Sequence, residues 1–114
     1  MMVIRELLKS IYKRPLMYIG EKKIEYIYYL ILGKCSEMND TYNQMDYAFI
    51  GLFEKWLDSY FSENKIKNNK SGFFWYKSII ECYGDKSYNA FFSLVDQFYN
   101  DYDNNTDYFK KHLK

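Results

Sequence analysis

The feature that most constrains this chain is a set of apolar side chains that recur at intervals of three and four residues. In the first helix-length segment they are Val3, Ile4, Leu7, Leu8, Ile11 and Tyr12. This spacing places one apolar stripe along one side of an α-helix, and similar stripes recur along the chain. Val, Ile and Thr do not alternate with polar residues, and the sequence has no Asn-Gly or Asp-Gly turn, so strands are not indicated. The sequence therefore predicts an all-α fold.

We predict a compact bundle of five to six helices that forms a single domain over residues 1–114. A chain of this size can bury a core without metals or disulfides. Pro15 ends the first helix, and Thr106 is expected to cap a sixth, short one. The five longer helices are predicted over residues 2–13, 23–37, 41–61, 73–83 and 87–102.

Local signals add detail to these helices. Thr41 and Gln44 have the spacing of a capping box, in which each side chain bonds the backbone amide of the other residue. Gly84 is suited to the left-handed conformation that closes a helix. The third helix is expected to bury Tyr47, Ile50, Phe53, Trp56, Leu57, Tyr60 and Phe61. The fourth is expected to bury Phe73, Tyr76, Ile79, Ile80 and Tyr83. The fifth carries Tyr88, Phe91, Phe92, Val95, Phe98, Tyr99 and Tyr102 at helical spacing.

The cysteines and the apolar runs predict a cytoplasmic protein. Cys35 and Cys82 are far apart and have no Cys or His companion, so neither a zinc site nor a disulfide framework is indicated. The N-terminus does not have the charged leader and apolar block of a signal peptide. The uncharged apolar run 26–33 is far shorter than the roughly 20 residues needed to cross a bilayer. We therefore expect no membrane partner.

The string "KRPLMYIG", residues 13–20, is almost identical to one that opens the ATPase domain of type II topoisomerases. Nucleotide binding in that family also needs an Asp-x-Gly-x-Gly loop and glycine-rich lids, which this chain does not have. A triphosphate is held by helix N-terminal amides or a glycine nest. We therefore interpret the string as a helix exit in which Met17 and Ile19 turn onto the core, Tyr18 stays partly exposed and Gly20 permits the bend.

Few side chains could carry catalysis. His112 is the only histidine, and it lies two residues from the C-terminus in a basic tail. Terminal segments are usually poorly ordered and do not hold the fixed geometry of a general base or metal ligand. Glu54 and Asp58 are one helical turn apart on the outward side of the third helix, as solvated pairs usually are. We predict that the protein is not an enzyme and needs no metal or cofactor.

Charge is distributed in blocks, although the net charge is only +1. The densest acidic stretch, 96–109, alternates carboxylates with aromatic rings. Such a surface suits a basic protein partner, because the charge speeds encounter and the rings supply contact area. The alternative is that the rings belong to the core and the aspartates form a solvated edge. The candidate binding residues are Asp96, Tyr99, Asp101, Tyr102, Asp103 and Asp107, with Glu54 and Asp58 as a second patch.

A second candidate surface is the basic segment 65–77, in which lysines flank the aromatic string "FFWY". Lysines beside exposed rings are typical of sites that stack single-stranded bases. However, Trp75 and its neighbours begin a helix whose period needs most of them inside, and a net charge of +1 is low for a nucleic-acid-binding domain. We therefore expect no direct nucleic-acid partner. A regulatory or adaptor domain that binds protein or RNA through this segment stays open as the alternative function.

Four strings together carry a family resemblance: "RPLMYIG", "FEKWL" (53–57), "WYKSII" (75–80) and "AFFSLVDQF" (90–98). The pattern resembles small all-helical bacterial immunity proteins of contact-dependent growth inhibition and other polymorphic toxin systems. The resemblance implies a protein that binds a cognate nuclease toxin, expected to be an RNase, and blocks it stoichiometrically. Toxins that cleave RNA hold phosphates and are basic around the active site. An acidic surface is the expected counterpart, although the resemblance assigns no binding position.

Overall fold

A computed structural model of the chain describes residues 2–68, 72–107 and 109, and every regular element within them is helical. The α-helices are α1 Val3–Lys13, α2 Pro15–Ile19, α3 Ile24–Ser36, α4 Gln44–Tyr47, α5 Phe49–Glu63, α6 Trp75–Tyr83 and α7 Ser87–Asp103. A 3-10 turn, Gly84–Lys86, precedes α7. The all-α prediction is confirmed, and the five longer helices correspond to the five predicted ones.

The chain divides into two compact units, Met1–Leu52 and Phe53–Lys114, with the boundary inside α5. In the first unit, α1 and α3 each pack against α2 and α4. In the second unit, α6 packs against α7. The single domain over 1–114 stays a prediction, because compact units within a chain do not establish how many domains fold independently.

The N-terminus of α1 is held by a carboxylate from α4. Asp46 is 1 % exposed, and its two carboxylate oxygens accept hydrogen bonds from the amides of Val3 and Ile4, each at 2.9 Å. The first amides of a helix have no partner within the helix, and Met2 at the N-cap supplies no side-chain bond. The positive end of the helix dipole also favours a carboxylate there. Asp46 therefore caps α1 from a distant part of the sequence.

The thiol of Cys35, on α3, lies against the backbone of Asp46. Its Sγ donates to the carbonyl oxygen of Asp46 at 3.2 Å, and the side chain is half-buried. Burial, with the Asp46 carboxylate nearby, raises the pKa of the Cys35 thiol to about 11. The thiolate is the nucleophile in cysteine chemistry. Cys35 is therefore a structural side chain at neutral pH.

The third helix begins later than predicted, and the capping box is wrong. Asn39 Oδ1 accepts from both the amide and the hydroxyl of Thr41, so this hydroxyl bonds the preceding turn instead of a helix amide. Asn43 is the N-cap of α4, and its Oδ1 accepts from the Met45 amide at 2.7 Å. The predicted cap at Thr106 is also wrong, because its hydroxyl is buried and has no hydrogen-bond partner.

Two of the predicted buried stripes differ in phase from the structure. A break at Ala48 separates α4 from α5, so Phe49 is buried where Tyr47 and Ile50 were expected. The fourth helix begins at Trp75, which is buried, whereas the predicted core residues Phe73 and Ile80 are exposed. Other predicted core residues are only half-buried, namely Tyr60, Tyr76 and Tyr83. The predictions are confirmed at the buried residues Phe53, Trp56, Leu57, Phe61, Ile79, Phe91, Phe92, Val95, Phe98 and Tyr99.

The core of the second unit is built from aromatic rings around Phe53. The centroid of this ring lies 4.9 Å from that of Trp75 and 5.3 Å from that of Phe98, in edge-to-face arrangements. Trp75 in turn stacks on Phe91 at 5.6 Å. Edge-to-face and stacked pairs stabilise a core by more than the burial of their apolar area alone. The ring cluster therefore joins α5, α6 and α7 within this unit.

The string "KRPLMYIG" contains α2, and its side chains do not all turn onto the core as predicted. Leu16 and Met17 are 66 % and 68 % exposed, so the expectation that Met17 contacts the core is wrong. Pro15 starts a new helix at once, and three consecutive helical residues span about 200° of its circumference, so they do not all face the same way. Ile19 is half-buried and Gly20 ends α2 with φ +75°, as the bend requires.

No helix among the described residues is long and apolar enough to span a bilayer. The His, Cys, Asp and Glu side chains of the same residues do not gather in groups of three or more that could hold a metal ion. The basic tail with His112 lies outside the described residues.

Replacing Asp46 with Asn tests the cap of α1. The Asn amide group has one acceptor oxygen, so its NH₂ faces a backbone donor and leaves that amide unsatisfied in a buried site. We expect the free energy of unfolding to fall by about 2–3 kcal/mol. Urea titration followed by circular dichroism measures the change. Asp40→Asn, at an exposed position of the same unit, should have almost no effect, and equal stability of the two variants would refute the role of Asp46.

Alkylation rates test the raised pKa of Cys35. In a Cys82→Ser background at pH 8, we expect iodoacetamide to modify Cys35 on the order of a hundredfold more slowly in the folded protein than in urea, because an ordinary thiol has a pKa of about 8.5. Mass spectrometry measures both rates. The folded state holds this proton more tightly than the unfolded state. The resulting contribution to stability is present below pH 8.5 and is lost as the pH rises toward about 11. Equal rates would contradict the assignment.

Candidate functional site

The exposed side of α7 carries polar oxygen-bearing side chains. Exposed positions recur every three or four residues through Asn89, Ser93, Asp96, Asn100 and Asp103, a stripe that we call the α7 outer face. The helix contains neither Lys nor Arg over its 17 residues. No cation on α7 itself therefore offsets its carboxylates.

Negative charge is concentrated at the C-terminal end of α7. Asp101 and Asp103 lie in the last turn, which has no basic residue, and Asp107 is exposed shortly afterwards. The C-terminus of a helix carries a partial negative charge, so a carboxylate placed there is unfavourable by about 0.3–1 kcal/mol. The helix thus keeps a negative end at some cost to its own stability. A cationic partner would relieve that cost.

Asp101 makes a structural contact with α5. Its Oδ2 accepts a hydrogen bond from Nε1 of Trp56 at 2.8 Å, and the Trp56 side chain is buried. A buried indole N–H needs such a partner. Asp101 is itself half-buried, whereas Asp96 and Asp103 are exposed. The predicted carboxylates therefore divide into one that ties α7 to α5 and others that face outward.

The two tyrosines of the predicted surface also differ. Tyr99 is 3 % exposed, and its ring packs edge-on against Phe98 at 5.1 Å, so its predicted place on a contact surface is corrected to the core. It lies on the stripe that includes Val95, four residues earlier, as the alternative interpretation of the segment held. Tyr102 is half-buried and its ring packs edge-on against Phe109 at 5.6 Å. Only Tyr102 can offer part of its ring to a partner.

The second predicted patch, Glu54 and Asp58, lies on a different side of α5 from the residue that contacts α7. Both side chains are half-buried. Each is two residues from Trp56, which corresponds to a rotation of roughly 160° around the helix. Since Trp56 points toward Phe98 of α7, the two carboxylates do not extend the α7 outer face. They form a separate patch.

The basic segment 65–77 exposes more of its rings than the sequence predicts. Phe73 is 61 % exposed and Phe74 is also exposed, because both precede the first residue of α6. Nζ of Lys77 lies 5.2 Å from the centroid of the Phe74 ring. The thiol of Cys82 donates weakly to the Lys67 carbonyl at 3.6 Å, which brings this part of the loop to α6. Lys70 lies outside the described residues.

Comparison with known proteins gives no family assignment. The chain matches no protein-family model, and neither the curated proteins nor the solved structures contain a match. The site is therefore interpreted from its own geometry and charge.

Matched alanine variants on α7 distinguish the structural carboxylate from the outward ones. We expect Asp101→Ala to lower the free energy of unfolding by about 1–3 kcal/mol, because the buried Trp56 N–H loses a charged acceptor. Asp96→Ala, which removes an exposed carboxylate from the same helix, should leave stability almost unchanged. Chemical denaturation followed by tryptophan fluorescence measures both. If the two variants lose equal stability, the Trp56–Asp101 bond does not have the proposed role.

Proposed function

We propose that this chain is an immunity protein that binds a cognate nuclease toxin domain, expected to be an RNase, and neutralises it by stoichiometric blocking. The observation that carries the proposal is the concentration of Asp101, Asp103 and Asp107 at the negative end of α7, without a cation on that helix. The sequence resemblance to immunity proteins of polymorphic toxin systems supports the same function.

The charge of the surface suits the chemistry of such a toxin. A nuclease that holds an RNA backbone needs cationic side chains around its active site. Carboxylates spaced along a rigid helix can occupy those cations in place of phosphates and so prevent RNA from entering. Complementary charge also speeds association, which matters for a protein that must bind a toxin before the toxin cleaves RNA. We place this activity in the cytoplasm, where the RNA substrate is.

The proposed contact centres on the exposed carboxylates. Asp96 and Asp103 lie on the α7 outer face, and Asp107 extends the charge beyond the helix. The exposed part of Tyr102 supplies aromatic contact at the same end, because aromatic rings contribute strongly at interface centres. Glu54 and Asp58 would add a separate contact to a partner large enough to reach both surfaces.

A second function is favoured by the exposure of Phe73 and Phe74. In the sequence these rings lie between Lys65 and Lys67 on one side and Lys77 on the other, and all three lysines are exposed. Nζ of Lys77 lies 5.2 Å from the centroid of the Phe74 ring. Exposed rings among cations stack single-stranded bases with little sequence preference. The alternative is therefore an adaptor or regulatory domain that binds RNA or protein through the 65–77 segment.

Charge reversal on α7 tests the immunity function. We expect the tagged chain to co-purify with the product of the adjacent upstream gene and to abolish its tRNA cleavage at a one-to-one ratio. Asp96→Lys with Asp103→Lys should weaken binding by at least about tenfold, because like charges then face the toxin. Glu37→Lys with Asp40→Lys changes the net charge equally at exposed positions of the first unit and should leave the affinity unchanged.

The same samples distinguish the two functions. Failure of the chain to associate with the toxin candidate would overturn the immunity proposal. Binding of single-stranded RNA that is lost in a Phe73→Ser, Phe74→Ser variant, together with no effect on the nuclease, would establish the adaptor function instead.

A further inference from the structure

An exposed apolar cluster lies at α2, in the first unit. It consists of Tyr12 at the end of α1 and Leu16, Met17 and Tyr18 on α2, and we call it the α2 cluster. All four side chains are exposed. Tyr12, which the sequence placed on the apolar stripe of the first helix, is 63 % exposed and does not join the buried residues of that stripe. Large apolar side chains grouped on a surface indicate an interaction site. None of these four residues belongs to the core that defines the first unit.

Exposed cations lie next to the α2 cluster in the sequence. Lys13 and Arg14 fall between Tyr12 and Leu16, and Lys22 and Lys23 follow shortly after Tyr18. Glu21 is the single carboxylate within 12–23, and it lies 3.4 Å from Lys23. The segment thus presents an apolar centre inside a cationic rim. A partner for this segment must therefore offer both an apolar surface and negative charge.

The geometry decides among the possible partners. Symmetric pairing with a second copy of the chain would bring the two cationic rims together and is opposed by their charge. A peptide held in a groove would need flanking walls, but Leu16 and Met17 are two-thirds exposed and therefore project from the surface. Peripheral proteins often carry projecting apolar side chains with cations beside them. The apolar side chains then enter the boundary between lipid headgroups and acyl chains.

We propose that the α2 cluster docks on an anionic lipid surface. Leu16 and Met17 enter the acyl boundary, the Tyr12 and Tyr18 rings lie at the headgroup level that tyrosine prefers, and the four cations meet lipid phosphates and carboxylates. The sequence predicted no membrane partner because no run is long enough to span a bilayer. Peripheral docking needs only exposed side chains, and it is independent of the proposed inhibition of a toxin.

Vesicle cosedimentation of the full chain tests this docking. We expect binding to phosphatidylcholine vesicles that contain about 30 % phosphatidylserine, and at least tenfold weaker binding to phosphatidylcholine alone, because each cation near an anionic surface raises binding about fivefold. Raising the salt to about 0.5 M should also weaken binding through screening.

Matched variants assign the binding to the cluster. Leu16→Ser with Met17→Ser should weaken binding to the anionic vesicles by at least about tenfold, while the midpoint of thermal unfolding stays the same because both side chains are exposed. Phe73→Ser, at an exposed ring of the second unit, should bind as the wild type does. No binding to anionic vesicles, or equal binding by the double variant, would overturn the proposal. Binding of an acidic amphipathic peptide without vesicle binding would also overturn it, in favour of a protein partner.

Discussion

The first unit depends on the buried carboxylate of Asp46, which binds the amides of Val3 and Ile4 across 43 and 42 residues of sequence. Burying a charge is costly unless hydrogen bonds and favourable dipoles replace water. Both conditions are met here, because two amides converge on the carboxylate at the positive end of α1. The backbone of the same residue accepts the Cys35 thiol from α3. One residue of the short helix α4 thus joins α1 to α3.

The second unit combines an aromatic core with an acidic surface on the same helix. The rings of Phe91 and Phe98 face Phe53 of α5, while the opposite side of α7 carries the exposed carboxylates. Asp101 stands at the edge between them, where it accepts the Trp56 indole N–H. Stability and proposed binding are therefore assigned to different carboxylates. Asp96 and Asp103 can change their partners without exposing the ring cluster.

The two surfaces proposed as interaction sites have opposite charge. The end of α7 is anionic and its exposed face is polar, which suits a cationic protein. The α2 cluster is apolar with a cationic rim, which suits an anionic lipid surface. A single partner does not satisfy both, because what attracts one surface repels the other. The string "KRPLMYIG" enters this second surface through the exposed side chains of Leu16 and Met17.

The sequence by itself determined the all-α class, the five longer helices, the end of α6 at Gly84 and most of the buried stripe of α7, because apolar periodicity is a local property of the chain. It also placed negative charge at 96–109. Only the tertiary structure decided that Asp46 caps α1, that Asp101 bonds Trp56 and that Tyr99 is buried. It also showed that Leu16, Met17 and Phe73 are exposed. These facts depend on which residues far apart in the sequence come into contact. Apolar spacing of three or four residues carries no information about such contacts.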